Sequence, residues 1–209
     1  MFYAHNKNMS LNFTFNQNIA LENERVLLRP LQDDDFNNLL HFSLNEPEIW
    51  KYSARTAEGA DLLREYIDAA LQARTVGTEY PFIVFDKKTN AYAGSTRFYD
   101  IQLENGALEL GYTWYGKDFR GTGVNKHCKF LLLQYAFETM QAHRVGFRAD
   151  ARNEVSINAM KSIGCTVEGL VRSHGVLRDG GRRDSILLSI LKDEWFGGVK
   201  ERLREKLLY

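Results

Sequence analysis

The stretch Phe119-Arg120-Gly121-Thr122-Gly123-Val124-Asn125 joins a candidate strand to the strongest helical pattern in the chain. That position suits an anion. The first amides of a helix have no intrahelical acceptor and point outward, and the helix dipole adds partial positive charge. Glycines let the backbone approach a phosphate with no Cβ in the way. Arg120 adds a forked cation that matches phosphate geometry. Two known phosphate loops do not fit. A GxGxxG fingerprint needs glycine where Lys126 stands. A Walker A loop opening at Gly116 needs a lysine and a hydroxyl residue where Thr122 and Gly123 stand.

Downstream, Val124, Cys128, Leu131, Leu132, Tyr135 and Ala136 repeat at helical spacing and predict a helix over residues 124–140. His127, beside Lys126 and Lys129, is expected on its surface. A strand over 144–150 and a helix over 153–163, closed by Gly164, come next. Strands over 165–177 and 183–191 flank the turn Asp179-Gly180-Gly181-Arg182, and residues 178–184 are expected to form a solvated hairpin. A charged amphipathic helix ends the chain.

Upstream, alternation at Leu11, Phe13 and Phe15 predicts a short strand, and residues 25–31 predict another. Asp33 is placed to cap a helix reaching Leu44, and a second helix is expected over 57–74. Three strands, over 80–85, 91–99 and 107–114, then form a meander. The order βααβββαβαββα predicts a mixed α/β fold: a central, largely antiparallel sheet with helices on both faces. One parallel pair is expected where the 124–140 helix crosses over.

The chain has 209 residues, enough to bury a core without metals or disulfides. Its 27 basic and 27 acidic residues cancel, which argues against direct nucleic-acid binding or general attraction to anionic membranes. Neither Cys128 nor Cys165 has a CxxC partner, so both are expected as buried thiols and no metal site is expected. No run is long enough to cross a bilayer, and MFYAHNKNMSLNFTFNQN (residues 1–18) has no signal-peptide core. A cytoplasmic location is expected.

Arg120-Gly121-Thr122-Gly123-Val124-Asn125 resembles motif A, [QR]xxGx[GA], of the GNAT acetyltransferase superfamily, with Asn125 in place of the usual small final residue. Glu109-Leu110-Gly111-Tyr112 resembles the family's ELGY strand. Asn153-Glu154-Val155-Ser156, followed by Gly164, resembles its NxxS segment. Glu168-Gly169 follows as in the Rim-type branch, whose members acetylate ribosomal-protein N-termini. The resemblance spans roughly residues 25–195, leaving 1–24 as an N-terminal extension and 196–209 as a helix packed on the domain or at an oligomer contact.

The resemblance implies acetyl-CoA as co-substrate, bound in a cleft between two splayed strands, 107–114 and 144–150. The pantetheine arm would run along the backbone of Tyr112, Thr113 and Trp114, like an added edge strand. Arg120, Gly121, Thr122, Gly123, Val124 and Asn125 would take the pyrophosphate, and Asn153 would contact the cofactor. The implied reaction is direct attack of an amine on the thioester. Many members protonate the leaving thiolate with a tyrosine. That register holds Met160 here, so Ser156 becomes the candidate acid. Glu109 is the first candidate base and His174 the second.

The acceptor stays open between a protein or peptide N-terminus and a small amine such as an amino acid, polyamine or aminoglycoside. Two other readings remain. One is an acyl-CoA-binding module without turnover, consistent with Met160. The other is an interaction protein, including a possible homodimer, that uses Trp195, Phe196, Val199, Leu203 and Leu207 as a contact stripe.

Overall fold

The computed structural model describes residues 10–53, 55–177 and 180–208. The expectations for residues 1–9, and for Arg178 and Asp179 of the solvated hairpin, lie outside them. The chain folds into β1 (Leu21–Glu22), β2 (Val26–Pro30), α1 (Asp35–Asn45), α2 (Ala60–Thr75), β3 (Tyr80–Asp86), β4 (Ala91–Gln102) and β5 (Ala107–Tyr115). Then come α3 (Val124–Gln134), β6 (Arg144–Asp150), α4 (Glu154–Ser162), β7 (Thr166–Val176), β8 (Arg182–Leu191), α5 (Lys192–Glu194) and α6 (Lys200–Glu205). All eight strands join one sheet in the order β1-β2-β3-β4-β5-β6-β8-β7. Every neighbouring pair is antiparallel except β5 and β6. The parallel pair falls where α3 crosses over, as the order of elements requires.

Two cores cover the two faces. On one face, α1 and α2 bury Leu39, Leu63 and Ile67 against Leu31, Ile83 and Trp114. On the other, α3 buries Val124, Cys128, Leu132 and Leu133 against β-strand residues that include Leu108, Val145 and Phe147. Cys128 and Cys165 are free and buried. No helix among the described residues is long and apolar enough to cross a membrane.

Four local expectations need correction. Leu11, Phe13 and Phe15 form no strand. Leu11 N donates to Leu103 O and Asn12 N to Met140 O, so this backbone is tied to a turn and a helix end rather than to a ladder. Leu11 and Phe13 are still core residues. Asp33 does not cap α1: the N-cap is Asp34, without a side-chain cap bond, and the Asp33 carboxylate pairs with Arg64 at 3.2 Å. The helix after Val124 changes at Tyr135 into a π turn over Tyr135–Thr139. The C-terminal helix is broken by a π turn over Trp195–Val199, where Gly198 has φ +123°. Of its expected contact stripe, Trp195, Val199 and Leu203 are buried against the chain's own core and Phe196 is exposed.

Candidate active site

β5 and β6 separate early. Their ladder covers only Ala107–Arg144, Leu108–Val145 and Glu109–Gly146, although both strands run on. On its other side β5 carries a bulge: the β4–β5 register shifts between Ser95 and Arg97, and Tyr112 has φ +49°. A bulge bends its strand and raises the local twist, which turns β5 away from β6. The β5 backbone past Glu109 therefore has no strand partner on the β6 side. Tyr112, Thr113 and Trp114 lie on this free edge, which suits an extended ligand.

The splay leads to the glycine loop. A short 3-10 turn, Lys117–Phe119, is held by Lys117 N donating to Glu46 Oε2 at 2.7 Å. Gly121 and Gly123 have φ +74° and +92°, which side chains with a Cβ rarely adopt. The first amide bond made into α3 is His127 N to Gly123 O, at 3.2 Å. The amides of Gly121, Thr122, Gly123, Val124, Asn125 and Lys126 have no protein acceptor among the described residues. A Cβ on Gly121 would meet nothing within 4 Å, and one on Gly123 only His127 Cδ2 at 3.9 Å, so the space outside the loop is open. Arg120 is exposed and uses Nε on Tyr115 O at 3.0 Å, leaving its terminal nitrogens without a protein partner among the described residues. Arg25 braces the loop by donating to Thr122 O at 3.2 Å while held by Asp86 at 2.6 Å. Six open amides, open space and a cation fit a pyrophosphate.

At α4, Asn153 is the N-cap and its Oδ1 accepts from Ser156 N at 3.1 Å. Asn153 therefore performs the capping. The half-buried Ser156 hydroxyl makes no hydrogen bond among the described residues. Met160 is buried in the core, one turn further on.

Glu109 stands where the strands part. One carboxylate oxygen accepts from Tyr99 Oη at 2.5 Å and the other from Arg148 Nε at 2.7 Å. Burial and the Glu109 carboxylate push the Tyr99 hydroxyl well above its ordinary value. Removing a proton from substrate through Glu109 thus requires a water that reaches past these partners. His174 is exposed on β7, at the sheet edge, with β8 and β6 between it and β5. It is not brought together with Glu109 or Ser156.

His127 is a correction: it is buried rather than on the helix surface. Its Nδ1 is 3.1 Å from Asn23 Nδ2 and 3.5 Å from a Glu24 carboxylate oxygen. Burial lowers its pKa, opposed by Glu24. Two further groups escape a reading of the sequence. Arg97 is buried between the rings of Tyr66 and Tyr112, at 4.7 and 4.3 Å, and donates to Glu79 at 2.6 Å. Lys129 is buried and donates to Thr113 Oγ1 at 2.8 Å. The Lys129 position has a sequence signature. Lys129, Leu132, Leu133 and Ala136 are spaced i, i+3, i+4, i+7, a core-facing helical set.

The acetyltransferase (GNAT) domain model matches residues 25–166. The chain belongs to the GNAT acetyltransferase family. It is accordingly an acyltransferase of the N-acetyltransferase type. YdaF of Bacillus subtilis strain 168, assigned by name as a ribosomal N-acetyltransferase, is 29% identical over 180 residues, covering 84% of this chain and 96% of its own. A solved structure from T. thermophilus, assigned as an acetyltransferase, is 34% identical with a TM-score of 0.81, covering 91% of this chain and 97% of its own. A GCN5-related N-acetyltransferase from Brucella melitensis superposes with a TM-score of 0.85 at 24% identity, over 93% of this chain and 87% of its own, and shows the shared fold. The name of YdaF, a ribosomal N-acetyltransferase, is in line with the resemblance of the NxxS segment and Glu168-Gly169 to the Rim-type branch.

Proposed function

We propose that this enzyme transfers the acetyl group of acetyl-CoA to a primary α-amine, with a protein or peptide N-terminus as preferred acceptor. The observation that carries the cofactor reading is the run of open amides from Gly121 to Lys126, set at the mouth of the β5–β6 splay. The loop holds the pyrophosphate. The free edge at Tyr112, Thr113 and Trp114 holds the pantetheine arm. Asn153, whose Oδ1 is occupied by the α4 cap, contacts the same ligand through its remaining polar atoms. Acetyl-CoA supplies an acetyl group already activated as a thioester.

Ser156 is the proposed hydrogen-bond donor to the leaving thiolate, since capping does not occupy its hydroxyl. Glu109, through water, is the proposed base for the attacking amine; His174, at the far sheet edge, is not part of this proposal. The preference for an α-amine rests on protonation. At pH 7 an α-amine of pKa about 8 is roughly 10% neutral, whereas a lysine side chain near 10.4 is below about 0.1%. The name of YdaF supports the same acceptor class. Two free, buried cysteines are consistent with work in a reducing cytoplasm.

The test is thiol release from acetyl-CoA over a panel of peptide N-termini, amino acids, polyamines and aminoglycosides. Peptide N-termini should give the highest kcat/KM. A polyamine or aminoglycoside ahead of every peptide would replace the acceptor, and release that no amine stimulates would leave a CoA-binding module.

A further inference from the structure

Lys129 stands at a core position of α3 and is only 5% exposed. Its ammonium reaches Thr113 Oγ1 on β5, at 2.8 Å, and lies 5.9 Å from the centre of the Phe147 ring on β6. Both residues come after the last ladder pair, Glu109–Gly146. The charge thus sits beneath the gap, where the two strands have already parted. Thr113 Oγ1 is also 2.7 Å from Thr96 Oγ1, so the hydroxyl that accepts from the cation is itself fixed at the bulge.

What this cation lacks is a counter-ion. Lys129 forms no ion pair among the described residues. An ammonium has three donors, and one is engaged. The titratable groups that face it are the thiols of Cys128, on its own helix, and Cys165, just after α4. Burial pushes both thiols up to about 12, so they stay neutral and give it no negative partner. Burial likewise pushes Lys129 down to about 8, which leaves it charged at pH 7. An isolated buried charge is costly for folding alone, and it is strongest electrostatically where water is excluded.

We propose that Lys129 is the electrostatic floor of the thioester site, stabilising negative charge that gathers in the splay as the acetyl group is transferred and CoA leaves. This rests on the acetyl-CoA reading above. The amine nitrogen forms a bond to the thioester carbonyl carbon, the C–S bond breaks, and its electron pair leaves on sulfur. The proton lost by the amine passes through water to Glu109, the proposed base, and the sulfur leaves as thiolate until solvent protonates it. Lys129 keeps its own protons throughout and acts by charge.

Coenzyme A with its free thiol is the probe, and no acceptor amine is needed. The ultraviolet absorbance of the thiolate is followed against pH for CoA bound to the wild-type protein, to Lys129→Met and to Lys129→Gln. A free thiol titrates near about 8.5. Bound to the wild type, its midpoint should fall by about one pH unit or more, a rise of about tenfold in the thiolate-to-thiol ratio at pH 7. Lys129→Met should remove the fall. Lys129→Gln keeps a donor for Thr113 without the charge and should remove it too. An undepressed wild-type midpoint overturns the inference without any variant, as does a depression that Lys129→Gln retains. A wild-type protein that binds no CoA overturns the cofactor reading and this inference with it, whereas tight binding with an unshifted thiol overturns this inference alone.

Discussion

Replacing Lys129 by methionine should make the protein more stable at neutral pH. The fall of its pKa from 10.5 to about 8 comes from burial, opposed by the nearby Cys128 and Cys165. At about 1.4 kcal/mol per pH unit, keeping that charge buried costs the folded state about 3 kcal/mol at pH 7. Methionine fills a similar volume and removes the charge. It also forfeits the charge-assisted bond to Thr113, worth about 2 kcal/mol, but leaves that hydroxyl its Thr96 partner. The net gain is about 1 kcal/mol, or about 2–4 °C in melting temperature for a domain of this size. The sign with pH follows from proton counts. Between about 8 and 10.4 the unfolded chain still holds the lysine proton and the folded one has released it, so the Lys129 contribution to stability becomes less unfavourable through that window. The advantage of Lys129→Met should therefore shrink as pH climbs from about 8 toward 10. Burial holds the protons of Cys128 and Cys165 up to about 12, so the two thiols lower the stability of both proteins above about pH 8.5, but they do so equally and cancel from the difference between wild type and variant. Calorimetric melting of both proteins at several pH values is the assay. A variant that melts below the wild type at pH 7, or an offset that does not change with pH, would refute the reasoning.

Two further outcomes test the cofactor and acid assignments. Gly123→Glu places a side chain and a negative charge at φ +92° beside the open amides and should weaken acetyl-CoA binding at least about tenfold, whereas Gly123→Ala, carrying only the backbone strain, should weaken it much less; equal losses measured by calorimetry would mean strain rather than anion binding. Ser156→Ala should lower turnover by roughly 10²-fold with acetyl-CoA affinity and melting temperature nearly intact, while Asn153→Ala should lose about 1 kcal/mol of stability with the cap; a Ser156→Ala enzyme at wild-type turnover would pass the thiolate's partner to water.

What the sequence conveys here is local chemistry. The 144–150 strand is legible because its bounds sit between a helix end and the Asn153 cap, and the observed strand is Arg144–Asp150. The glycine turn that opens α3 is legible because glycines at a helix start have few other uses, and both adopt positive φ. The failures are tertiary. Alternation at Leu11, Phe13 and Phe15 marks burial, but the amide partners that decide strand from coil are the carbonyls of Leu103 and Met140, some 90 and 130 residues away. Glu109 reads as a free carboxylate until Tyr99 and Arg148 are brought to it by neighbouring strands. The splay itself has no linear signature, since it depends on a bulge at Tyr112 acting together with a ladder that stops at Gly146.

Lys126, His127 and Lys129 show how a charge run misleads. As a string they suggest one solvated face. A helix advances 100° per residue, so consecutive positions point in different directions. Lys126 remains partly exposed, His127 turns to Asn23 and Glu24 beside β2, and Lys129 turns to the gap between β5 and β6. Only the last shares a face with Leu132, Leu133 and Ala136, where an apolar residue would satisfy every local rule and improve stability. Sequences break such rules mainly at functional positions, where stability is traded for chemistry. The cation lies against the gap where β5 and β6 part, beside the β5 bulge. Its cost to folding and its use to the reaction have a common origin, a charge held without a counter-ion where a negative one is due to form.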